Sequence, residues 1–361
     1  MDVDGDGQVD VMLLRQGENL LMRGDGTCHF TRANEDWGFD GGDAWSAAFA
    51  ATWEAGNNWP TLVVGNYINR DEEFSPWGSC TDNWLHRPAG ASDRKFASPL
   101  ALKPSFCPLS ALFTDWNRSG EPALRLANDR EYYEGGQEQM WQLSPGKEPH
   151  LFTPEEGWAY VRIWGMGIAS TDLNGDTYPD YFITSMADQR LQWLKSQPAD
   201  GKLKPTYTEL AFSKGLTLHR PFIGSDERPS TGWHAEFQDV NNDGLADLFV
   251  AKGNVSAMPD FAEKDPNNLL LQGLDGKFVE VADKAGVASF AQSRGGAVVD
   301  FNRDGLLDLV VNNRNEPAQI WRNVSTGLGN FIEIEPRMQG PNGDAINGWI
   351  EVRTADGKVQ R

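Results

Sequence analysis

The chain has 361 residues, a formal charge of −20, 38 glycines and 14 tryptophans. That excess of negative charge excludes phosphate backbones and anionic lipid surfaces as natural partners, because both would be repelled over most of the surface, and it favours metal cations instead. No apolar run approaches the roughly 20 residues of a membrane span, and helix-type apolar periodicity is scarce, so the glycine-rich composition points to an all-β chain with many turns.

The chain opens MDVDGDGQVDVMLL. Asp2, Asp4, Asp6 and Asp10 stand at positions 1, 3, 5 and 9 of a calcium-type loop, and Gly5 and Gly7 let the backbone turn tightly enough to aim alternate side chains at one hard cation. An EF-hand needs a Glu at position 12 and flanking helices. Position 12 here is Leu13, inside a run of strand length, so a strand is predicted after the loop.

Further along, the loop recurs as DLNGDTYPD (172–180), DVNNDGLAD (239–247) and DFNRDGLLD (300–308), with degenerate copies TWEAGNNWPT from Thr52 and DWNRSGEPA from Asp115. Their first positions, 2, 52, 115, 172, 239 and 300, give a period of 50 to 67 residues and six units. Position 12 of the later full loops is Ile183, Val250 and Val311, again within strand-like runs. Before the loops lie stretches of small residues, WSAAFA (45–50), WGMGIAS (164–170) and RGGAVV (294–299), which suit crowded inner strands. After them come strand–turn–strand segments: NLLMRGDGTCHF (19–30), EQMWQLSPGKEPHLF (138–152), NLLLQGLDGKFVEV (268–281) and QIWRNVSTGLGNFIEI (319–334). Each unit therefore reads as four antiparallel strands with the Asp-rich loop between the first two, which is a propeller blade, and the fold class is an all-β propeller with six blades visible.

The units resemble FG-GAP or VCBS repeats, the calcium-looped propeller blades of integrin α heads and many secreted bacterial proteins. The tail from Asn330 to Arg361 is similar to the start of the ASPIC/UnbV segment found after such blades in proteins related to cartilage acidic protein. The resemblance implies a propeller over 1–329 and an ASPIC/UnbV-like segment over 330–361, with seven blades in the intact protein. The strand owed before Asp2 is missing and the tail holds about one hairpin, so truncation at both ends is expected. It also implies an exported protein, extracellular or periplasmic, that works as a monomeric binding or adhesion module.

The resemblance further implies four structural Ca²⁺ ions held by side chains at positions 1, 3, 5 and 9 and the carbonyl at 7. The sites are Asp2, Asp4, Asp6, Asp10 with Gln8; Asp172, Asn174, Asp176, Asp180 with Tyr178; Asp239, Asn241, Asp243, Asp247 with Leu245; and Asp300, Asn302, Asp304, Asp308 with Leu306. Hard oxygen donors without Cys or His select calcium over zinc or copper. Ala123 at position 9 weakens the third unit, and the second keeps only the outline.

Strand alternation puts the Asp-rich loops and the 3–4 turns on one face and the long loops 66–83, 128–137, 213–233 and 252–267 on the other. Rigidly mounted long loops are where binding concentrates. Arg70, Asp71, Tyr132, Tyr133, His219, Arg220 and Trp233 are the candidate contacts for a protein or glycan. Cys80 and Cys107 share this face, which allows a disulfide, whereas Cys28 lies by a turn on the opposite face. Five residues before the first loop position the inner strands carry Ala47, Ser110, Gly167 and Gly295, but His234 in the fifth unit, with Glu236 and Arg294 beside it. That trio admits two readings: a polar plug, or the acid/base and carboxylate-binding groups of a polysaccharide lyase or hydrolase. Arg23-Gly24-Asp25 spells an adhesion tripeptide but fills the position of a hairpin turn. No nucleophile elbow, phosphate loop, zinc-protease motif or dinucleotide fingerprint is present.

Overall fold

The computed structural model describes residues 1–69, 71–72, 79–129, 136–195, 203–217, 228–255, 258–355, 357 and 359–360. The chain is an all-β propeller of six antiparallel blade sheets, and its compact units hold three sheets each. One unit comprises Met1–Arg162 with Glu335–Trp349, the other Ile163–Ile334 with Ile350–Arg361.

In the first unit, the opening sheet has three strands, Val11–Leu13, Leu20–Gly24 and Phe30–Arg32, in sequence order, which correspond to the second, third and fourth strands of the four-stranded sheets and are numbered so. The second sheet is Ser46–Thr52, Thr61–Asn66, Asn83–His86 and Leu100–Leu102, and the loop between its second and third strands carries a hairpin of Ile68–Asn69 with Ser79–Cys80. The third is Pro108–Thr114, Ala123–Asn128, Gln139–Gln142 and His150–Leu151. The apolar side chains of neighbouring sheets interlock: Leu21, Trp37, Trp59, Leu62 and Val64 between the first two, and Val63, Leu85, Phe113, Leu124 and Trp141 between the second and third. Burying each such side chain contributes about 1.5 to 3 kcal/mol, so the inter-blade seams supply the driving force that short strands lack.

The second unit repeats the plan with Ile168–Thr171, Asp180–Ile183, Arg190–Leu194 and Tyr207–Glu209, then Gly232–Gln238, Asp247–Lys252, Asn268–Gln272 and Phe278–Glu280. Phe182, Leu191, Leu216, Leu248 and Leu270 fill the seam between these two, and Phe249, Val287, Val298 and Val311 the next. The last sheet corrects the sequence reading. It has three strands, Ser293–Val299, Asp308–Asn313 and Gln319–Trp321, and the expected fourth strand at 330–334 does not pair. Instead the Phe331 ring packs on Gly305, where an added Cβ would lie 1.9 Å from it. The tail ends in a separate hairpin, Val352–Arg353 with Val359–Gln360.

Two repeated devices went unread in the sequence. At the start of the third strand, the side-chain oxygens of Asn19, Asn83 and Asn267 accept the backbone N–H of Arg15, Asn66 and Lys252, each at 2.9 Å, closing the long-loop end of the blade. After the fourth strand come one-turn helices, Asn34–Trp37, Ala211–Lys214 and Ala282–Ala285, stopped by left-handed Gly38, Gly215 and Gly286. The carboxylates of Glu209 and Glu280 fasten these turns, each accepting from the helix start and from the third strand. Burial raises the pKa of both groups.

Candidate metal centres

Each Asp-rich loop folds around its own first and fifth positions. The Asp2 carboxylate accepts the N–H groups of Gly5, Asp6 and Gly7 at 2.8, 3.2 and 2.9 Å. Asp172, Asp239 and Asp300 accept the equivalent fifth- and sixth-position N–H groups. The fifth-position Asp6, Asp176, Asp243 and Asp304 accept from Gln8, Tyr178, Leu245 and Leu306, the residues whose carbonyls the resemblance assigns to an ion. The sixth position needs left-handed backbone, supplied by Gly7, Gly244 and Gly305 at φ 84, 88 and 84°; in the remaining full loop Thr177 takes it at φ 79° against its steric preference.

The ninth-position aspartates are buried and bind the loop to the sheet. Asp10 accepts from Val3 at 2.7 Å and from Gly24 in the third strand at 3.0 Å. Asp247 accepts from Val240 at 3.1 Å and Gln272 at 2.9 Å, and Asp308 from Phe301 at 3.3 Å and Asn323 at 2.8 Å. Asp180 accepts from Leu173 at 2.9 Å, but its Oδ1 is buried with no hydrogen-bond partner. Desolvation, aided by neighbouring loop carboxylates, raises the pKa of Asp10, pushes Asp247 up to about 7 and Asp180 up to about 8. Buried carboxylates that resist ionising this strongly are the donor set a divalent cation relieves.

The loops differ in the third position. In the first loop, Asp2, Asp4 and Asp10 offer oxygens all within 4.8 Å of one another, the one place among the described residues where three carboxylates gather so closely. Asp4 Oδ1 is buried and unpartnered. In the fourth and fifth blades Asn174 and Asn241 donate through Nδ2 to Oδ2 of Asp176 and Asp243, at 3.0 Å each. The degenerate third loop keeps the cradle, with Asp115 accepting from Ser119 and Gly120 at 2.8 and 2.9 Å, but offers Ala123 at the ninth position. The second loop, which has no aspartate, is filled by a side chain. Glu54 is fully buried and accepts from Arg87 Nε and Nη2 at 2.6 and 2.8 Å.

On the long-loop face, Asp71 and Trp233 are described, while Arg70, Tyr132, Tyr133, His219 and Arg220 lie outside the described residues. Asp71 is exposed, its N–H donating to Asn69 Oδ1 at 3.1 Å. Trp233 is half-buried and donates through Nε1 to the Gly253 carbonyl at 2.7 Å. A disulfide joins Cys80 to Cys107, and Cys28 is free and exposed. Arg23 of the Arg-Gly-Asp turn points to Asp4, with its Nε 2.9 Å from Oδ2, and Asp25 caps the turn through the Thr27 and His29 N–H groups.

His234 stands beside Glu236, and Arg294 is held by Trp233 and by backbone carbonyls. His234 Nε2 lies 3.6 Å from Glu236 Oε2, and that carboxylate is also held by the Val298 N–H at 3.1 Å and by Gln238 at 3.2 Å. The Arg294 guanidinium stacks on the Trp233 ring at 4.1 Å and donates to the carbonyls of Ser293, Asn254 and Gly253. Its neighbourhood is desolvated enough to lower its pKa to about 10. Trp233, His234 and Arg294 occupy register shifts of their inner strands, and the same shift recurs at Ser46/Ala48 and Pro108/Ser110, so the bulge belongs to the blade rather than to one site.

The FG-GAP-like repeat family matches residues 239–311, the fifth Asp-rich loop through the sixth. The chain is 45% identical over 83 residues to human cartilage acidic protein 1, a stretch covering 22% of this chain and 13% of that protein. It is 42% identical over 74 residues to the Xenopus tropicalis protein of the same name, covering 20% of this chain and 11% of that one. The matched stretch thus spans well under a quarter of either relative's length. Among solved structures, a complex of BBS1N with ARL6DN gives a TM-score of 0.46 at 9% identity over 89% of this chain and 76% of that chain. A putative gluconolactonase gives 0.43 at 9% identity over 92% of this chain and 89% of that chain. Likenesses at that level support no functional inference. The chain is a β-propeller that carries an FG-GAP-like repeat and is similar, over that limited stretch, to cartilage acidic protein 1.

Proposed function

We propose that this protein is an exported, calcium-stabilised propeller that binds a protein or glycan through its long-loop face and performs no chemistry of its own. The carrying observation is the pair of buried, unpartnered carboxylate oxygens, Asp4 Oδ1 and Asp180 Oδ1, inside loops whose first-position carboxylates are already committed to backbone N–H groups. Burying such an atom without a partner costs about 1 to 3 kcal/mol, more for a charged group, and a bound ion removes that cost. Asp2, Asp4, Asp6 and Asp10, with their counterparts at 172–180, 239–247 and 300–308, would hold the ions, and every ligand belongs to a loop tied into its own blade. The ion's contribution is electrostatic: it neutralises carboxylates that would otherwise repel, and so fastens the first two strands.

Export is supported by the Cys80–Cys107 disulfide, since such bonds persist in oxidising compartments. No helix among the described residues is long and apolar enough to cross a membrane. The non-catalytic reading is supported by the commitments of Glu236 to the Val298 N–H and of Arg294 to backbone carbonyls. Calorimetric titration of the metal-stripped protein with calcium is expected to show about four sites, and glycan and protein arrays to give a ligand whose binding is lost on altering Asp71 or Trp233. Absence of calcium binding refutes the first half; turnover of an acidic polysaccharide, abolished by His234→Ala, refutes the second.

A further inference from the structure

The first loop departs from the other three full loops in one position and in charge. Its third residue is Asp4 where the others have Asn174, Asn241 and Asn302, so it carries one more carboxylate than they do. In the fourth and fifth blades the asparagine amide orders the loop by donating to the fifth-position aspartate. A carboxylate at that place has no proton to donate, and it would swing away from its acidic neighbours unless something else held it.

Arg23 supplies the hold. Its Nε lies 2.9 Å from Asp4 Oδ2, and its guanidinium sits 5.0 Å from the centre of the buried Trp37 ring, which fixes the cation from the far side. The Asp4 side chain is only 10% exposed. The contact is an ion pair rather than a hydrogen bond, for Arg23 Nε, like Asp4 Oδ1, is buried without a hydrogen-bond partner, and Asp4 forms a close group with Asp2 and Asp10. Arg23 directly precedes Gly24, whose N–H caps Asp10, so strand pairing sets its register. The same register in the last blade holds Arg322, which reaches Asp304 Oδ2 at 3.1 Å and precedes Asn323, the cap of Asp308.

We propose that Arg23 is the positioning residue of the first metal loop: it holds the Asp4 carboxylate with one oxygen facing the cage, and cancels the extra charge that distinguishes this loop from its three sisters. The inference rests on the calcium reading above. It assigns the arginine of the Arg-Gly-Asp turn to an inward task, as an outer-sphere partner of a cation ligand.

The test uses the full chain, calcium chloride alone, and amide resonances of Gly5 and Gly7 in the first loop, with Gly175, Gly244 and Gly305 in the other loops as internal controls. Arg23→Met is expected to weaken the first loop's apparent calcium affinity about 10- to 100-fold, the usual effect of losing an outer-sphere partner, with the control glycines titrating as in the wild type. Adding Asp4→Asn to Arg23→Met rebuilds the sister-loop chemistry and is expected to bring the affinity back to within about threefold of the control loops. An Arg23→Met loop that binds as tightly as wild type, or more tightly, overturns the proposal, because the guanidinium would then be idle or a competitor. A double variant as weak as the single one overturns it too. If none of the five glycines responds to calcium in the wild type, it is the calcium reading itself that fails.

Discussion

The second blade offers the sharpest test, because its loop, 52–61, has no aspartate and is closed instead by the Arg87 guanidinium on Glu54. Arg87→Met keeps most of the apolar stem and removes the guanidinium. What is lost can be counted from the geometry: two charge-assisted bonds to Glu54, at 2.6 and 2.8 Å, a bond to the Ser144 carbonyl at 3.2 Å, and one to the Lys147 carbonyl. What is left is a fully buried Glu54 carboxylate with the Thr61 hydroxyl, at 2.7 Å, as its remaining side-chain donor. Removing one partner of a buried pair costs about 3 to 5 kcal/mol, because the surviving charge is uncompensated. Urea unfolding followed by tryptophan emission should show a loss of that size, equal in calcium and in a calcium chelator. Arg87→Met combined with Glu54→Leu should recover most of it, since no charge then remains buried. A loss below about 1 kcal/mol would refute the assignment of Arg87 as the loop's internal cation. A loss seen only in calcium would show that this loop takes an ion after all.

Chelating calcium should lower the melting temperature by several degrees, since each loop with a dissociation constant near 10⁻⁴ to 10⁻³ M gains about 1.4 kcal/mol at tenfold excess; hydrogen exchange should rise most in the first and fourth loops, where Asp4 Oδ1 and Asp180 Oδ1 have no other partner. A methyl on Gly167 would lie 2.2 Å from the Trp233 carbonyl oxygen, whereas nothing stands within 4 Å of one on Gly295, so Gly167→Ala should cost about 1 to 3 kcal/mol in chemical denaturation and Gly295→Ala essentially nothing. Burial lowers the His86 pKa from 6.5 to about 4 against a raising pull from Asp40, so the unfolded chain takes up the proton first. Stability from this residue is complete above about pH 6.5 and is lost as pH falls towards 4, by about 3 kcal/mol, and His86→Met should flatten the melting profile across that window.

The loops were legible because their ligands sit mostly two residues apart and the bonds that shape them within the loop span at most seven positions, as from Asp172 to Thr177 and from Asp180 to Leu173. Inner strands were legible from their small residues, and Gly167 and Gly296 show why, since an added Cβ would meet Trp233 and Phe249 at 2.2 and 2.9 Å. The segment at 330–334 misled because its alternation fits a strand, while pairing depends on where the backbone is carried. Gly329 lies against the Asn242 carbonyl and Phe331 against Gly305, which draws the chain over the Asp-rich loops and away from Gln319–Trp321. The helical turns escaped because four residues are too few for a 3.6-residue period to show, although the spaced Gly38, Gly215 and Gly286 marked their ends. Arg87 with Glu54, and Lys252 with Asp265 at 2.9 Å in full burial, join residues whose separation follows no local rule.

The ninth-position aspartate explains why loop and blade stand or fall together. In the first, fifth and sixth blades one of its oxygens receives the N–H of the loop's second residue and the other receives an N–H at the end of the third strand or, for Asn323, just past it, so a single carboxylate spans the loop and two strands. Protonating it removes the charge from both bonds, and the raised pKa of Asp10 and Asp247 shows how close burial brings the metal-free loop to that state. A cation in the cage would favour the ionised form, and with it the bond to the third strand, without touching that strand. Ala123 in the third blade has no carboxylate to do this, and there the sheet is held by its core instead, with Leu124, Leu126 and Trp141 in one buried cluster. In the blades that keep the aspartate a bound ion would be coupled to strand pairing through that one carboxylate; the blades without it rely on side-chain packing or, in the second, on an arginine.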